Sequence, residues 1–131
     1  MSTLSVGTIK SNTSSPPTIQ NSSGTEIGTL CRAWVNFNGV TTVTVRGSFN
    51  VSSVTRNAGG DYTINFSTAM PDANYCVSGV SAGGANGSTS ISGAGASTDF
   101  SFTSSSARIY SVDCSGNANV DAVTICASIF R

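Results

Sequence analysis

The chain is 131 residues long, 38% hydrophobic and only 9% charged, with 6 basic residues, 6 acidic residues and no histidine. That length is one domain with room for an appendage, and the sparse, balanced charge excludes a basic field for nucleic acid. The missing histidine removes the commonest general base, the Ser-His and Cys-His nucleophile pairs, and the commonest zinc ligand.

Residues 1–29 differ from the rest. Apolar side chains are thinly spread there (Leu4, Val6, Ile9, Ile19, Ile27), and Ser14-Ser15-Pro16-Pro17 interrupts any regular element. Two consecutive prolines fix two φ angles and remove two N–H donors, which predicts extended chain. Either this is a disordered terminus, or it is an attachment arm in which Leu4, Val6 and Ile9 add a strand to a neighbouring sheet. The opening MSTLSVGTIK lacks the charged start and apolar core of a signal peptide. No apolar run reaches the roughly 18 residues needed to span a bilayer, so no membrane insertion is expected. The four cysteines, Cys31, Cys76, Cys114 and Cys126, form no C-x-x-C pair. The expectation is free, buried thiols in a reducing cytoplasm, with no metal site and no cofactor.

From Cys31 onward, apolar and polar residues alternate in short bursts separated by turn signals, the period-two pattern of half-buried strands. Ala33, Val35 and Phe37 share a face with Cys31, leaving Arg32, Trp34 and Asn36 opposite. Asn38-Gly39 suits a tight hairpin turn. Val43, Val45 and Phe49 continue an inward face across Gly47, whose mid-strand position suggests a bulge or a close backbone approach. Val51 and Val54 break strict alternation, so a bend is expected at Ser52-Ser53. Ala58-Gly59-Gly60-Asp61 turns into an inward row of Tyr62, Ile64 and Phe66, and Met70-Pro71-Asp72 ends that unit. A strand follows from Asn74 to Val80. The Gly/Ser-rich stretch from Val80 to Thr98 is either a flexible linker or a small-residue loop with loosely paired strands. Strands resume at Phe100 and Phe102 and over Arg108–Val112, break near Asp113–Asn117, and close over Ala122–Phe130 with Val123, Ile125, Ala127 and Ile129 inward. No capped 3.6-period run appears. The prediction is all-β: an antiparallel, jelly-roll-like β-sandwich over residues 30–131, preceded by an extended arm over residues 1–29.

The words AWVNFNG, SFNVSSV and DYTINFSTAMPDANY, with a final strand ending IFR, occur in that order here. From Thr25 to Arg131 the chain thereby resembles the distal domain of bacteriophage tail-fibre proteins, particularly those of phages of aquatic bacteria. The resemblance implies a virion protein made in the host cytoplasm and assembled as a homotrimer. It implies an arm that docks on other virion proteins and a tip that meets a bacterial surface glycan or protein. A capsid-decorating or head-fibre protein is the alternative, because the chain is short for a whole long fibre. A glycan-degrading spike is the third reading.

Candidate contact residues follow. Trp34 fits a core or subunit interface, or stacks on a sugar ring. Arg46, Arg56 and Arg108 either fork onto acidic sugars or pair with Asp61, Asp99 or Asp113. Arg108 and Tyr110, an exposed pair beside a Ser/Asn-rich loop, form the most plausible glycan surface. Asp61, Asp72, Asp99, Asp113 and Asp121 supply carboxylates for glycan hydrolysis in principle. No two lie close in sequence, and all but Asp121 sit at turn signals where Asp is expected anyway. No catalytic residue is assigned.

Overall fold

A computed structural model describes residues 3–12, 16–83, 88–92, 101–113 and 118–131. The chain divides into two compact units, Met1–Leu30 and Cys31–Arg131. Among the described residues there is no helix; every regular element is a strand.

The first unit contains one small hairpin, β1 (Ile19–Gln20) paired antiparallel with β2 (Glu26–Gly28). Its turn is organised by Asn21, whose side-chain oxygen accepts the backbone N–H groups of Ser23 (3.0 Å) and Thr25 (2.9 Å), while Gly24 takes φ = +83°. An Asn side chain mimics a backbone acceptor in this way, which is why NSSG makes a turn. Within the segment read from the sequence as an extended arm, residues 19–28 thus form a hairpin. Residues 13–15, just before the two prolines, lie outside the described residues.

The second unit holds eight strands: β3 (Cys31–Asn38), β4 (Thr44–Phe49), β5 (Val51–Ala58), β6 (Asp61–Phe66), β7 (Cys76–Ala82), β8 (Ser88–Ser92), β9 (Ser106–Asp113) and β10 (Thr124–Phe130). Pairing is antiparallel throughout, in the order β4-β3-β10-β7-β8-β9-β6-β5. The two edge strands, β4 and β5, are consecutive in sequence and joined only through Asn50. The inner side chains of β3 and β10 share one buried cluster with those of β6 and β9. This arrangement is consistent with a β-sandwich whose layers are continuous at one side through β7 and β8.

Alternation decides which side chains enter that core. Ala33, Val35 and Phe37 from β3, Tyr62, Ile64 and Phe66 from β6, Ala107 and Ile109 from β9, and Ile125, Ala127 and Ile129 from β10 are all buried. Each large side chain so buried contributes about 1.5–3 kcal/mol before entropy is counted. Phe37 packs edge-on against Tyr62 at a centroid distance of 5.2 Å. Toward the other end, Tyr75 packs against Phe66 and Phe102 at 5.7 and 5.0 Å. Its hydroxyl donates to the carbonyl of Ser106 at 2.6 Å.

Several local expectations hold. Gly59-Gly60 forms a two-residue turn between β5 and β6 with Gly60 at φ = +68°. A register shift falls at Val51/Ser53, the expected bend. Another falls opposite Gly47, between Asn36 and Phe37, and Gly47 lies against the Trp34 ring. Others are overturned. Asn38-Gly39 is not a tight hairpin: residues 39–43 connect β3 to β4, and the left-handed residue is Thr41 at φ = 55°. Gly39 is needed for space instead, because a Cβ there would collide with the Tyr62 ring hydroxyl. Phe49 faces outward at 56% exposure, since the shift opposite Gly47 reverses the parity of β4. Val123 precedes β10 and is exposed rather than inward. Cys31, Cys76 and Cys126 are free thiols, but Cys76 is exposed and the other two are half-buried, so none is a fully buried core residue. Part of the Gly/Ser-rich stretch, Ser88–Ser92, is a strand pairing with β7 and β9. Residues 84–87 and 93–98, with Asp99, Phe100 and Cys114, lie outside the described residues.

Candidate functional site

Three polar or apolar constellations surround the core. The first is a clasp at the β5–β6 end. Asp121, in the segment before β10, accepts Arg56 side-on from Nε (3.1 Å) and Nη2 (2.7 Å), the Gly60 N–H (2.8 Å) and the Tyr62 hydroxyl (2.7 Å). The same hydroxyl lies 3.1 Å from the Gly39 carbonyl. One carboxylate therefore ties β5, the β5–β6 turn and β6 together, and the Tyr62 hydroxyl has the Gly39 carbonyl as a second acceptor. Burial pushes the Asp121 carboxyl up, but the bonds from Arg56, Gly60 and Tyr62 outweigh it and hold the group down at about 2. Burial, with the neighbouring Asp121, drives the Tyr62 phenol far above its ordinary value.

The second lies on the outward side of β6 and β9. Asp61, 4% exposed, accepts Arg108 side-on at 2.9 and 2.6 Å and the Asn57 amide at 3.0 Å. The Arg108 bond, aided by Asn57, holds the Asp61 carboxyl below the usual range against its desolvation. The Arg108 guanidinium also lies 5.5 Å from the Tyr110 ring centroid. The expected pairing of Arg108 with Asp61 is thus present. The expected exposure of Tyr110 is not: it is fully buried, and Arg108 is spent on Asp61.

Both clasps have a pH signature. Asp61 and Asp121 titrate lower folded than unfolded, so their stabilisation is present above the unfolded carboxylate value of about 3.9 and drains as pH falls below it, for Asp121 down to about 2. Asp121 alone contributes on the order of 1–2 kcal/mol of this. The expected result is a Tm flat from pH 8 to about 5 that falls steeply between about 4 and 2, followed by circular dichroism. Asp121→Asn should flatten part of that acid limb.

The third is the outward face of β4, β3, β10 and β7. Trp34 is 41% exposed and pairs across the sheet with Phe49. A Cβ on Gly47 would come within 3.4–3.5 Å of the Trp34 ring, so the indole lies along the β4 backbone. Arg46 is exposed, yet its guanidinium is fixed by neutral acceptors: Nη1 to Asn36 Oδ1 (3.2 Å) and Thr124 Oγ1 (3.2 Å), and Nη2 to the Val123 carbonyl (2.7 Å).

The structure therefore does not bring the sequence-predicted contact residues together. Trp34 stands on β3, whereas Arg108 and Tyr110 stand on β9, four places away in the sheet order. Leu4, Val6 and Ile9 belong to the first unit and are 79%, 52% and 69% exposed. Sequence reasoning missed the Asp121 clasp. Its signal was there, because Asp121 was the one aspartate without a turn to explain it. Among the described residues, no group of three His, Cys, Asp or Glu side chains is gathered to hold a metal, and no helix is long and apolar enough to cross a membrane. Comparison with family models, with curated proteins and with solved structures finds no match to this chain.

Proposed function

We propose that this chain is a virion protein, a short phage tail fibre. Its jelly-roll-like β domain, assembled as a homotrimer, attaches to the bacterial surface, and residues 1–29 anchor it to the particle. The observation that carries the reading, beside the order of AWVNFNG, SFNVSSV, DYTINFSTAMPDANY and IFR, is the surface of the first unit. Leu4, Val6, Ile9, Ile19, Ile27 and Leu30 are all exposed. Exposed apolar side chains in this number on a small unit supply what a docking arm needs to bury against a partner.

An adhesin is favoured over a glycan-degrading spike by the state of the carboxylates. Hydrolysis needs one carboxylic acid with a raised pKa to protonate the leaving group. Asp61, Asp72 and Asp121 each accept a side-on arginine, and all three are pulled down instead. A single weak site suffices for adhesion when several fibres engage one cell.

The test is immunogold imaging of intact virions with antibody raised against residues 50–131. Label at the tail is the expected result and leads to adsorption competition with the purified protein. Label spread over the shell would replace the fibre reading with capsid decoration, and the receptor claim would then be withdrawn.

A further inference from the structure

We propose that the outward face of β3 and β4 is a binding site for a carboxylate-bearing saccharide, with Arg46 taking the carboxylate and Trp34 stacking on the sugar ring. The inference deepens the attachment reading and rests on it for the ligand's place on a cell surface.

Three of this protein's arginines share one mode of bonding. Arg56, Arg108 and Arg131 each present the same edge, Nε and Nη2, to an aspartate: Asp121, Asp61 and Asp72 respectively. Arg46 is oriented the other way round. Both bonds of Nη1 and one of Nη2 go to protein oxygens, and all three acceptors are uncharged. Among the described residues its Nε–H has no acceptor, and Nη2 gives one of its two hydrogens to Val123; Nε and Nη2 form the side-on edge that holds a carboxylate elsewhere in the fold. Among the described residues no carboxylate pairs with this charge, the side chain is exposed, and the head group is already held by three acceptors. A planar fork held in place loses little entropy when it captures a carboxylate, and charge-assisted bidentate bonds are the strong class.

The neighbour on this face supplies the second contact. The Trp34 ring lies over Gly47, the residue after Arg46, and is 41% exposed. Glycine is what permits this, since no side chain lifts the indole from the strand. A flat aromatic held against a β-strand presents its π face to solvent, where the C–H face of a pyranose packs. Phe49, paired with Trp34 and 56% exposed, extends the platform. Asn36, two residues from Trp34, adds an amide for hydroxyl groups. Stacking surface, amide and open guanidinium edge together match a hexuronate: a ring with an equatorial C–H face, hydroxyls, and a carboxylate at its rim. A neutral sugar would use the platform and leave Arg46 idle.

Trp34 is the only tryptophan in the chain, so its emission reports this face directly. The experiment titrates the full-length protein with oligogalacturonate, with the same oligosaccharide methyl-esterified, and with a neutral maltooligosaccharide. The expected result is a saturable change in emission with the acid, weakened about tenfold or more by esterification and by added salt. Arg46→Gln should produce the same loss, and Arg46→Lys, which keeps the charge without the side-on edge, should remain weak. Equal binding of acid and ester, unchanged binding by Arg46→Gln, or no response to any sugar overturns the proposal. So does an emission already blue-shifted and concentration-dependent, which would mean that a second copy covers the face. The ester comparison uses the unaltered chain, so a misfolded variant leaves the test intact. Adsorption of the labelled protein to host cells separates the two readings. Adsorption without uronate binding sinks this inference and keeps attachment; uronate binding without adsorption does the reverse.

Discussion

Replacing Asp121 with alanine should lower the thermal midpoint by about 5 °C or more, a large loss for a single polar side chain. The carboxylate receives the Arg56 guanidinium, the Gly60 N–H and the Tyr62 hydroxyl. Tyr62 is fully buried, so its hydroxyl cannot turn to water when the acceptor disappears. Arg56 is 31% exposed and can turn to water, and Tyr62 keeps the Gly39 carbonyl, so the loss falls below the about 3–5 kcal/mol of a fully buried charged network. Asp121→Asn retains the shape and one acceptor oxygen and should fall between wild type and alanine. A double-mutant cycle locates the cause. Tyr62→Phe should cost less in Asp121→Ala than in the wild type, since one of the hydroxyl's two acceptors is then already gone and only the Gly39 carbonyl remains. Differential scanning calorimetry of the four proteins measures this. A shift of only a degree or two for Asp121→Ala would show that the clasp is ornamental and that the core alone holds this end.

Gly60→Ala should also be damaging, by about 3 kcal/mol or more, through the backbone rather than through charge. Gly60 has φ = +68°, and a Cβ there would be pressed onto the Val120 nitrogen, within 2.6 Å of the Ser111 carbonyl oxygen and 2.8 Å of the Asn119 carbonyl carbon. These are main-chain atoms, so no rotamer change relieves them. The turn cannot move away either, because Gly60 N–H donates to Asp121 and the Gly60 carbonyl accepts Ser111 N–H at 2.8 Å. Gly59 is the internal control. A Cβ at Gly59 meets only the Arg56 Nη2 at 3.6 Å, ordinary contact with the end of a flexible side chain, and Gly59→Ala should be tolerated. Urea unfolding of both variants tests the contrast. Equal midpoints would remove the argument that close approach of the 118–121 segment is what requires glycine at position 60.

Strand identity and inward faces were legible wherever the cause is local. Period-two alternation in 33–37, 62–66 and 125–129 specifies the buried rows without reference to any partner, and those rows are buried. Gly59-Gly60 likewise announces its turn by composition. Phe49 was not legible, because its side depends on a register shift across β3 and β4, and a bulge in a pair is a property of two strands. The same holds for the arginines. Arg108 and Asp61 sit on directly neighbouring strands and were anticipated, while Arg56 and Asp121, 65 residues apart, were not. The NSSG turn of the first hairpin carried a readable signal in Asn21 that the prolines obscured.

By itself, then, the order of residues determined that this protein is all-β, where most of its strands run, which rows face inward, and that histidine-based chemistry is absent. Only the tertiary structure decided which carboxylate meets which guanidinium, that Tyr110 is buried, and that Arg46 keeps an edge open beside Trp34. The physical reason is range. Pleat and turn preferences are settled within a few residues, whereas a salt bridge, a covered ring or an unspent hydrogen-bond donor depends on strands brought side by side from distant parts of the chain.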